Sequence, residues 1–460
     1  MLFSEICKKK TFFLSLFRQK TQKTCIYPNF YVILWANLVA YKYIHMPMSN
    51  KHKIINDPVF GFLDIPSDTI YDILQHPYVQ RLNRIRQLGL SYFVYPGAMH
   101  SRFLHSLGAM HLMQEAIHSL RQKGVSISNE EAEAAMIAIL LHDVGHGPFS
   151  HVLEHTLVDG ITHEDISLLM MESLVECGGW MADGKQTIEL AIRIFKNEYE
   201  KHFLHQLISS QLDVDRMDYL CRDSFFCGVS EGSIASARLI KMMNVVGDKL
   251  VLEAKGIYSV EKFLVARRLM YWQVYLHKTS VAAEQLLIKI LQRAKHLATT
   301  GHELFCSPAL HYFLYNRVTA AQFTIHSEAL EQYALLDDSD VLSAIKTWQH
   351  ANDKVLAMLS LAFTNRQLFR GTLLDHAMDE NEKTLLRKLY AERLGVSLEE
   401  ADYFFVEHVS TNSTYSEKGD TIDILYNDGS VRDIAQASEI LDLEALTRKP
   451  KKLYLFKYRI

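Results

Sequence analysis

From Ala134 to His151 the chain reads AAMIAILLHDVGHGPFSH. Its first eight residues are apolar throughout, which predicts a helix buried on all sides. Ser128 followed by Glu131 forms a capping box just upstream and predicts where that helix starts. His142-Asp143 ends the run, and Gly145, Gly147 and Pro148 stop the helix and let backbone come close to a ligand. A polar pair at the end of a buried run is costly unless it is paired or coordinated. Two readings stay open for the pair by itself. The helix can simply end at the surface, with His142 near its C-terminal dipole. Alternatively the pair holds a metal, with His146 and His151 leaning over it.

The surroundings favour the second reading. Nine histidines fall between residues 100 and 163, whereas 22 in 460 residues would put about three in such a window. Histidine is the commonest metal ligand and titrates nearest neutrality. Upstream, Arg102-Phe103-Leu104-His105 opens another predicted helix. Downstream, Asp213-Val214-Asp215-Arg216-Met217-Asp218-Tyr219 carries three acids in an apolar frame. Asp215 and Asp218 are three apart and share a helical face. These segments offer two imidazoles and two carboxylates, an N/O set without thiolate that suits Mn, Fe, Zn or Ni better than Ca.

Further out, helices are predicted at 67–88 (kinked at Pro77), 103–123, 163–176, 186–196, 203–222, 259–298 (capped by Ser259, and broken or bent somewhere), 328–336, 339–363 and 380–394. Val245–Leu252 reads as a short hairpin around Gly247-Asp248, and residues 403–409, 421–426 and 453–458 have strand character. The expected fold class is mainly α: an all-helical domain around a metal site, with a small hairpin and a mixed α/β C-terminal region. The expected divisions are an N-terminal extension at 1–48, a core at 49–300, a helical extension at 301–400 and the α/β region at 401–460.

The chain's 460 residues are 48% hydrophobic and 22% charged, which excludes a mainly disordered protein. Six cysteines with no CxxC pair argue against a disulfide framework or zinc ribbon and for a reducing, cytoplasmic setting. A net charge of −4 makes nucleic acid an unexpected main partner. Residues 1–45 differ, with seven basic residues and one acid, or +6, leaving −10 for the remainder. The apolar part of that segment is too short and interrupted for a confident membrane span, and it fits no signal-peptide pattern. The simplest expectation is a start near Met46 or Met48. A membrane anchor and an extra packed element are the other readings of residues 1–45.

The wording around the histidines resembles a known family. Asn56-Asp57-Pro58, Arg86-Gln87-Leu88-Gly89, Tyr95-Pro96-Gly97-Ala98, Arg102-Phe103-x-His105-Ser106-Leu107-Gly108, the stretch Leu141–His151, Thr162-His163-Glu164 and Asp213-Val214-Asp215-x-x-Asp218-Tyr219 occur in order. Together they resemble the deoxynucleoside triphosphate triphosphohydrolase branch of the HD-domain metal-dependent phosphohydrolases, from about residue 50 to 300. That branch includes animal members joining a SAM domain to the HD domain; no SAM domain is visible here.

The resemblance implies an all-α fold and a divalent metal ion, with Mn, Fe, Mg, Zn and Ni all compatible. Its ligands would be His105, His142, Asp143 and Asp215. It implies release of deoxynucleoside and tripolyphosphate from a dNTP. His163 matches the family's catalytic histidine, with Glu154 in its supporting position. His146 and His151 match residues near the α-phosphate. Arg102, Arg216 and Arg267 match phosphate contacts, as a substrate with about four negative charges requires. Gln87, Leu88, Tyr219, Asp223 and Tyr275 match groups around the sugar. A nucleotide substrate, a nucleotide activator and a homo-oligomer are the implied partners. Gln75 and Asn83 stand where animal members recognise a guanine activator with an acid and an arginine, and Tyr271 replaces a histidine on the substrate-lining helix. Activator form and base preference are therefore not carried over. The alternative functions are hydrolysis of another nucleotide or phosphate ester, and nucleotide sensing with little turnover.

Overall fold

The structure, a computed structural model, describes residues 53–149, 156–177, 182–411, 421–438 and 450–460. The 1–48 extension, His151 and Glu154 lie outside the described residues.

The described chain opens with an antiparallel hairpin, β1 (Lys53–Asp57) and β2 (Gly61–Ile65). Helices α1 (Asp68–Gln75) and α2 (Pro77–Arg81) follow, separated at His76 because Pro77 cannot continue a helix but starts one well. Then come α3 (Arg102–Gln122) and α4 (Asn129–Leu141). α4 starts on the expected capping box: Ser128 Oγ accepts from the Glu131 amide and Glu131 accepts from the Ser128 amide. Beyond it lie α5 (His163–Cys177), α6 (Ala182–Phe195), α7 (His202–Ile208) and α8 (Val214–Cys227). α3 packs between α4 and α8, and α6 covers α4. Ala134, Ala135 and Ile137 to Leu141 of α4 are all 0% exposed, so the helix is buried on every side as its composition requires.

Three expected helices are divided. The run at 203–222 is two helices, because Asp213 caps α8 and accepts from the Ser210 and Arg216 amides. The run at 259–298, expected to be broken or bent somewhere, is broken at a π-turn. After α9 (Ser236–Met242), α10 spans Ile257–Met270 and begins at Gly256, not Ser259. A π-turn at Tyr271–Tyr275 then precedes α11 (Lys278–Thr299), which His277 caps through Nδ1. The run at 339–363 breaks into two helices. After α12 (Pro308–Tyr315) and α13 (Glu328–Leu335) come α14 (Asp338–Trp348) and α15 (Lys354–Thr364), with Asp353 starting the latter. α16 covers Glu380–Leu394, as its pattern predicts.

Strands β3 (Val158–Asp159) and β6 (Val318–Thr319) form a short parallel pair. The expected central hairpin is β4 (Met243–Val246) with β5 (Lys249–Glu253). It is extended by β9 (Asp423–Leu425) and β10 (Val431–Asp433), in the order β10-β9-β5-β4. A separate antiparallel sheet has β11 (Lys451–Lys457) between β7 (Arg370–Leu374) and β8 (Phe405–Thr411). Among the described residues, no helix is long and apolar enough to cross a membrane.

Candidate metal centre and its surroundings

Three packed elements bring four side chains of metal-ligating type close together. His105 sits on the first turn of α3, His142 and Asp143 follow the last residue of α4, and Asp215 is on the first turn of α8. His105 Nε2 lies 3.1 Å from Asp215 Oδ1 and 3.8 Å from Asp143 Oδ2. His142 Nε2 lies 3.4 Å from both Asp215 Oδ1 and Asp143 Oδ1. His105, His142 and Asp215 bring one ligand atom each within 4.8 Å of one another.

These residues fit a divalent ion. Both Nε2 atoms are buried and satisfied by no aligned hydrogen bond. Their Nδ1 atoms are engaged behind the site: His105 with Asp218 Oδ2 at 2.7 Å and His142 with the Ile139 carbonyl at 2.7 Å. That arrangement leaves each Nε2 as the ring atom facing the carboxylates, able to offer its lone pair once a cation displaces the proton there. The electrostatics agree. Burial opposes charge on His105, yet Asp215 and Asp218 outweigh it and push its pKa up to about 10. Burial likewise opposes charge on His142, and Asp143 and Asp215 raise it. Burial opposes the Asp143 carboxylate too, but His142, His146 and Arg102 hold it well below the usual range. The two carboxylates thus demand positive charge, which a cation supplies when it displaces those protons.

Behind His105 runs a buried ion network. Asp218 Oδ1 receives Arg222 Nη2 at 2.8 Å, and Arg222 Nη1 reaches Asp57 Oδ2 at 2.6 Å. The side chains of all three are 0% exposed. Asp218 and Arg222 are one helical turn apart on α8. The sequence motifs include Asp57 and place Asp218 on the Asp215 face, with no role for either, and do not single out Arg222. The i,i+4 spacing is the one signal that could have paired Asp218 with Arg222.

The histidine loop packs tightly on α5. Ser167 Oγ donates to the His142 carbonyl and accepts from the Gly145 amide, both at 2.9 Å. A Cβ at Gly145 would collide with the His163 carbonyl and the Ser167 amide, so only glycine permits this approach. The same packing brings the His146 and His163 rings to 3.8 Å between centroids. Asp143, His146 and His163 also place one ligand atom each within 4.8 Å of one another. Burial, reinforced by Arg102, pushes the His146 pKa down to about 3, so this ring is neutral at physiological pH.

The expected substrate residues divide into two groups. Arg102 donates to Asp143 Oδ2 at 2.5 Å, Arg216 pairs with Asp213, and Arg267 donates to Gln211 at 3.2 Å. Each guanidinium therefore has a protein acceptor. On the other side, α8 carries Asp215, Tyr219 and Asp223 at i, i+4 and i+8 along one face. Tyr275, on the π-turn, donates to Asp223 Oδ2 at 2.8 Å, and its ring lies 6.0 Å from that of Tyr219. Burial first, then Asp223, holds the Tyr275 hydroxyl well above its ordinary pKa, so it remains a donor. His100, not assigned from sequence, engages Asp223 Oδ1 at 2.7 Å and stacks on Phe226. Gln87 and Leu88 are half-buried on the segment that follows α2, and Gln87 Oε1 is buried without a partner.

Comparison with known proteins agrees with this geometry. Residues 102–223 match the HD domain, and residues 234–305 match the HD associated region. The first match begins at Arg102 and ends at Asp223. The uncharacterized protein YwfO of Bacillus subtilis is 31% identical over 418 residues, spanning 88% of this chain and 92% of its own. A SAMHD1 homolog of Dictyostelium discoideum, named a deoxynucleoside triphosphate triphosphohydrolase, is 31% identical over 266 residues, covering 55% of this chain and 51% of its own. A phosphohydrolase of Bacteroides thetaiotaomicron, solved by crystallography, superposes with a TM-score of 0.85 at 53% identity, covering 89% of this chain and 100% of its own. With the metal-ligand geometry and these matches together, the chain belongs to the HD-domain phosphohydrolase family.

Proposed function

We propose that this protein hydrolyses deoxynucleoside triphosphates to deoxynucleoside and tripolyphosphate. The observation that carries the reading is the continuity of α8. Its Asp215 belongs to the metal cradle, and Tyr219 and Asp223 continue the same face toward Tyr275. A reacting phosphate at the cradle would therefore have a hydrogen-bonding, aromatic wall one to two turns away, where a sugar fits. The likeness to relatives named as dNTP triphosphohydrolases supports this choice.

A divalent ion bound there would supply Lewis acidity toward a phosphoryl oxygen and a lowered pKa for water. His105, His142, Asp143 and Asp215 would hold it, with Asp218 orienting His105 through the hydrogen bond to Nδ1. Arg102 keeps Asp143 ionised and adds positive charge beside the reacting phosphate. Arg216 and Arg267 contribute charge along the polyphosphate by exchanging their present acceptors for phosphoryl oxygens. His146 stays neutral and serves as a hydrogen-bonding group. His163, adjacent to it, supplies the proton that the departing nucleoside oxygen needs. The Tyr219–Asp223–Tyr275 wall fits closely around the sugar and disfavours a 2′-hydroxyl.

The test is product analysis. Each dNTP and NTP is incubated with protein and Mn²⁺, Mg²⁺ or Fe²⁺, singly and in mixtures, and the products are separated. Deoxynucleoside with intact tripolyphosphate is the expected result, and dependence on a second nucleotide would reveal an activator. Release of phosphate or pyrophosphate would refute the reading and move the enzyme to another hydrolytic class. Metal binding without any product would refute it in favour of another ester or a sensor.

A further inference from the structure

The sugar-side segment Arg86-Gln87-Leu88 and the histidine loop His142–Phe149 are about 60 residues apart in sequence. They are joined in space by a third segment that lies outside both matched family regions. Asp338, the first residue of α14, is 4% exposed. Its Oδ1 accepts the Phe149 amide at 3.2 Å, and its Oδ2 accepts the Arg86 amide at 3.0 Å. Arg86 Nη1 adds a contact of 3.5 Å to the same oxygen. One carboxylate therefore ties the two segments together through their backbones.

Phe149 explains why a tie is needed there. Its φ is +54°, a left-handed conformation that is unfavourable for a residue with a Cβ. Such a conformation persists only when its surroundings over-determine it. Neighbours of Asp338 hold the rest of the loop. Tyr333 donates its hydroxyl to the Gly145 carbonyl at 3.0 Å. Arg81, 0% exposed, donates to the carbonyls of Leu336, Val144 and His146 at 2.8, 3.1 and 2.7 Å. Arg84 pairs with Asp337 at 2.5 Å. The corner from Tyr333 to Asp338 thus grips both sides of the site.

We propose that Asp338 is a positioning residue for hydrolysis, setting the place of the Gln87–Leu88 wall relative to the histidine loop. The inference rests on reading those two segments as parts of one active site. It goes beyond that reading by assigning their alignment to a residue more than 100 positions past the HD domain match. Burial is unfavourable for this carboxylate and pushes its pKa up to about 6. Its two backbone bonds and the nearby guanidinium are what oppose that shift.

The decisive variant is Asp338→Asn, which keeps the shape but leaves a single oxygen acceptor for two amides. The control is Asp340→Asn, which weakens the capping contact to the Asp337 amide by removing its charge and touches neither segment. Two readouts are taken on the full chain, amide hydrogen exchange and steady-state kinetics, with metal content measured alongside. Asp338→Asn should raise exchange about tenfold at Arg86 or Phe149, without a general rise. It should lower kcat on the order of 10- to 100-fold at unchanged metal content, since a misplacement near 1 Å is enough for that. Asp340→Asn should lower thermal stability and leave kcat within twofold. Unchanged exchange at both amides would overturn the proposal. So would a kcat loss that Asp340→Asn reproduces at matched stability. Should the first variant not fold, Asp338→Ser serves with the same expectations. If the wild-type protein hydrolyses no nucleotide, the dNTP reading fails by itself, and the exchange result alone decides whether Asp338 joins the two segments.

Discussion

Replacing Asp218 by asparagine tests whether the network behind His105 serves the metal or only the fold. Asp218 Oδ2 meets His105 Nδ1 at 2.7 Å, and both side chains are essentially without solvent. A hydrogen bond to a charged group contributes about 1.5–3 kcal/mol. If that bond sets the basicity and aim of Nε2, its loss weakens metal binding by that amount, or about 10- to 150-fold at 1.36 kcal/mol per decade. Changes in partners behind metal ligands generally cost about 10–100-fold in affinity, so two independent arguments give one range. The substitution also disturbs Arg222, and breaking a buried pair destabilises by about 3–5 kcal/mol. Asp57→Asn provides the separation. It weakens the other arm of the same arginine, 2.6 Å away, without touching His105. The assay is Mn²⁺ affinity by titration against a competing chelator, with thermal unfolding of the metal-free protein in parallel. Asp218→Asn is expected to lose affinity and stability, and Asp57→Asn to lose stability alone. Wild-type Mn²⁺ affinity in folded Asp218→Asn would refute the orienting role. Equal affinity losses in the two variants would show that the network acts only through stability.

Three further outcomes follow from the geometry. His142→Ala and Asp215→Ala should lose bound metal, whereas His163→Ala should retain metal and lose turnover; elemental analysis beside product formation distinguishes them, and normal turnover by His163→Ala would end its assignment as proton donor. Gly108→Ala should be severely destabilising, by several kcal/mol, because its Cβ would collide with Asp218 Oδ1 and Arg222 Nη2 in the tightest part of α3 against α8; wild-type thermal stability would contradict that packing. Burial lowers the His76 pKa from 6.5 to about 4, and its Nδ1 accepts the Tyr78 amide at 3.2 Å. The folded state therefore binds fewer protons than the unfolded chain between those values. Stability is full above pH 6.5 and is lost as pH falls toward 4, by at most about 3 kcal/mol. His76→Asn retains a capping acceptor that does not titrate, so urea unfolding at pH 7 and pH 5 should show a smaller loss than in the wild type; an identical loss would remove His76 as its source.

The sequence by itself determined the local signals and the chemistry. The Ser128 capping box, the all-apolar α4, the stop after Leu141 and the turn at Gly247-Asp248 act over three or four residues, and a local pattern can express them. The clustering of imidazoles and carboxylates was also readable, and the family resemblance singled out His105, His142, Asp143 and Asp215 among them. Helix divisions at Asp213 and Asp353 were missed although their caps are local, since unbroken apolar spacing outweighed single aspartates. Only the tertiary structure decided which groups meet. The His105–Asp218 contact spans 113 residues, Arg222–Asp57 spans 165 and Phe149–Asp338 spans 189. The pairing of β5 with β9 is of the same kind. No local periodicity encodes such pairs. They arise when elements distant in sequence bury their faces together, and once buried, each charge must find a partner within hydrogen-bonding distance. The sequence thus specified what the site is made of, and the packing of distant elements determined how those groups are aimed.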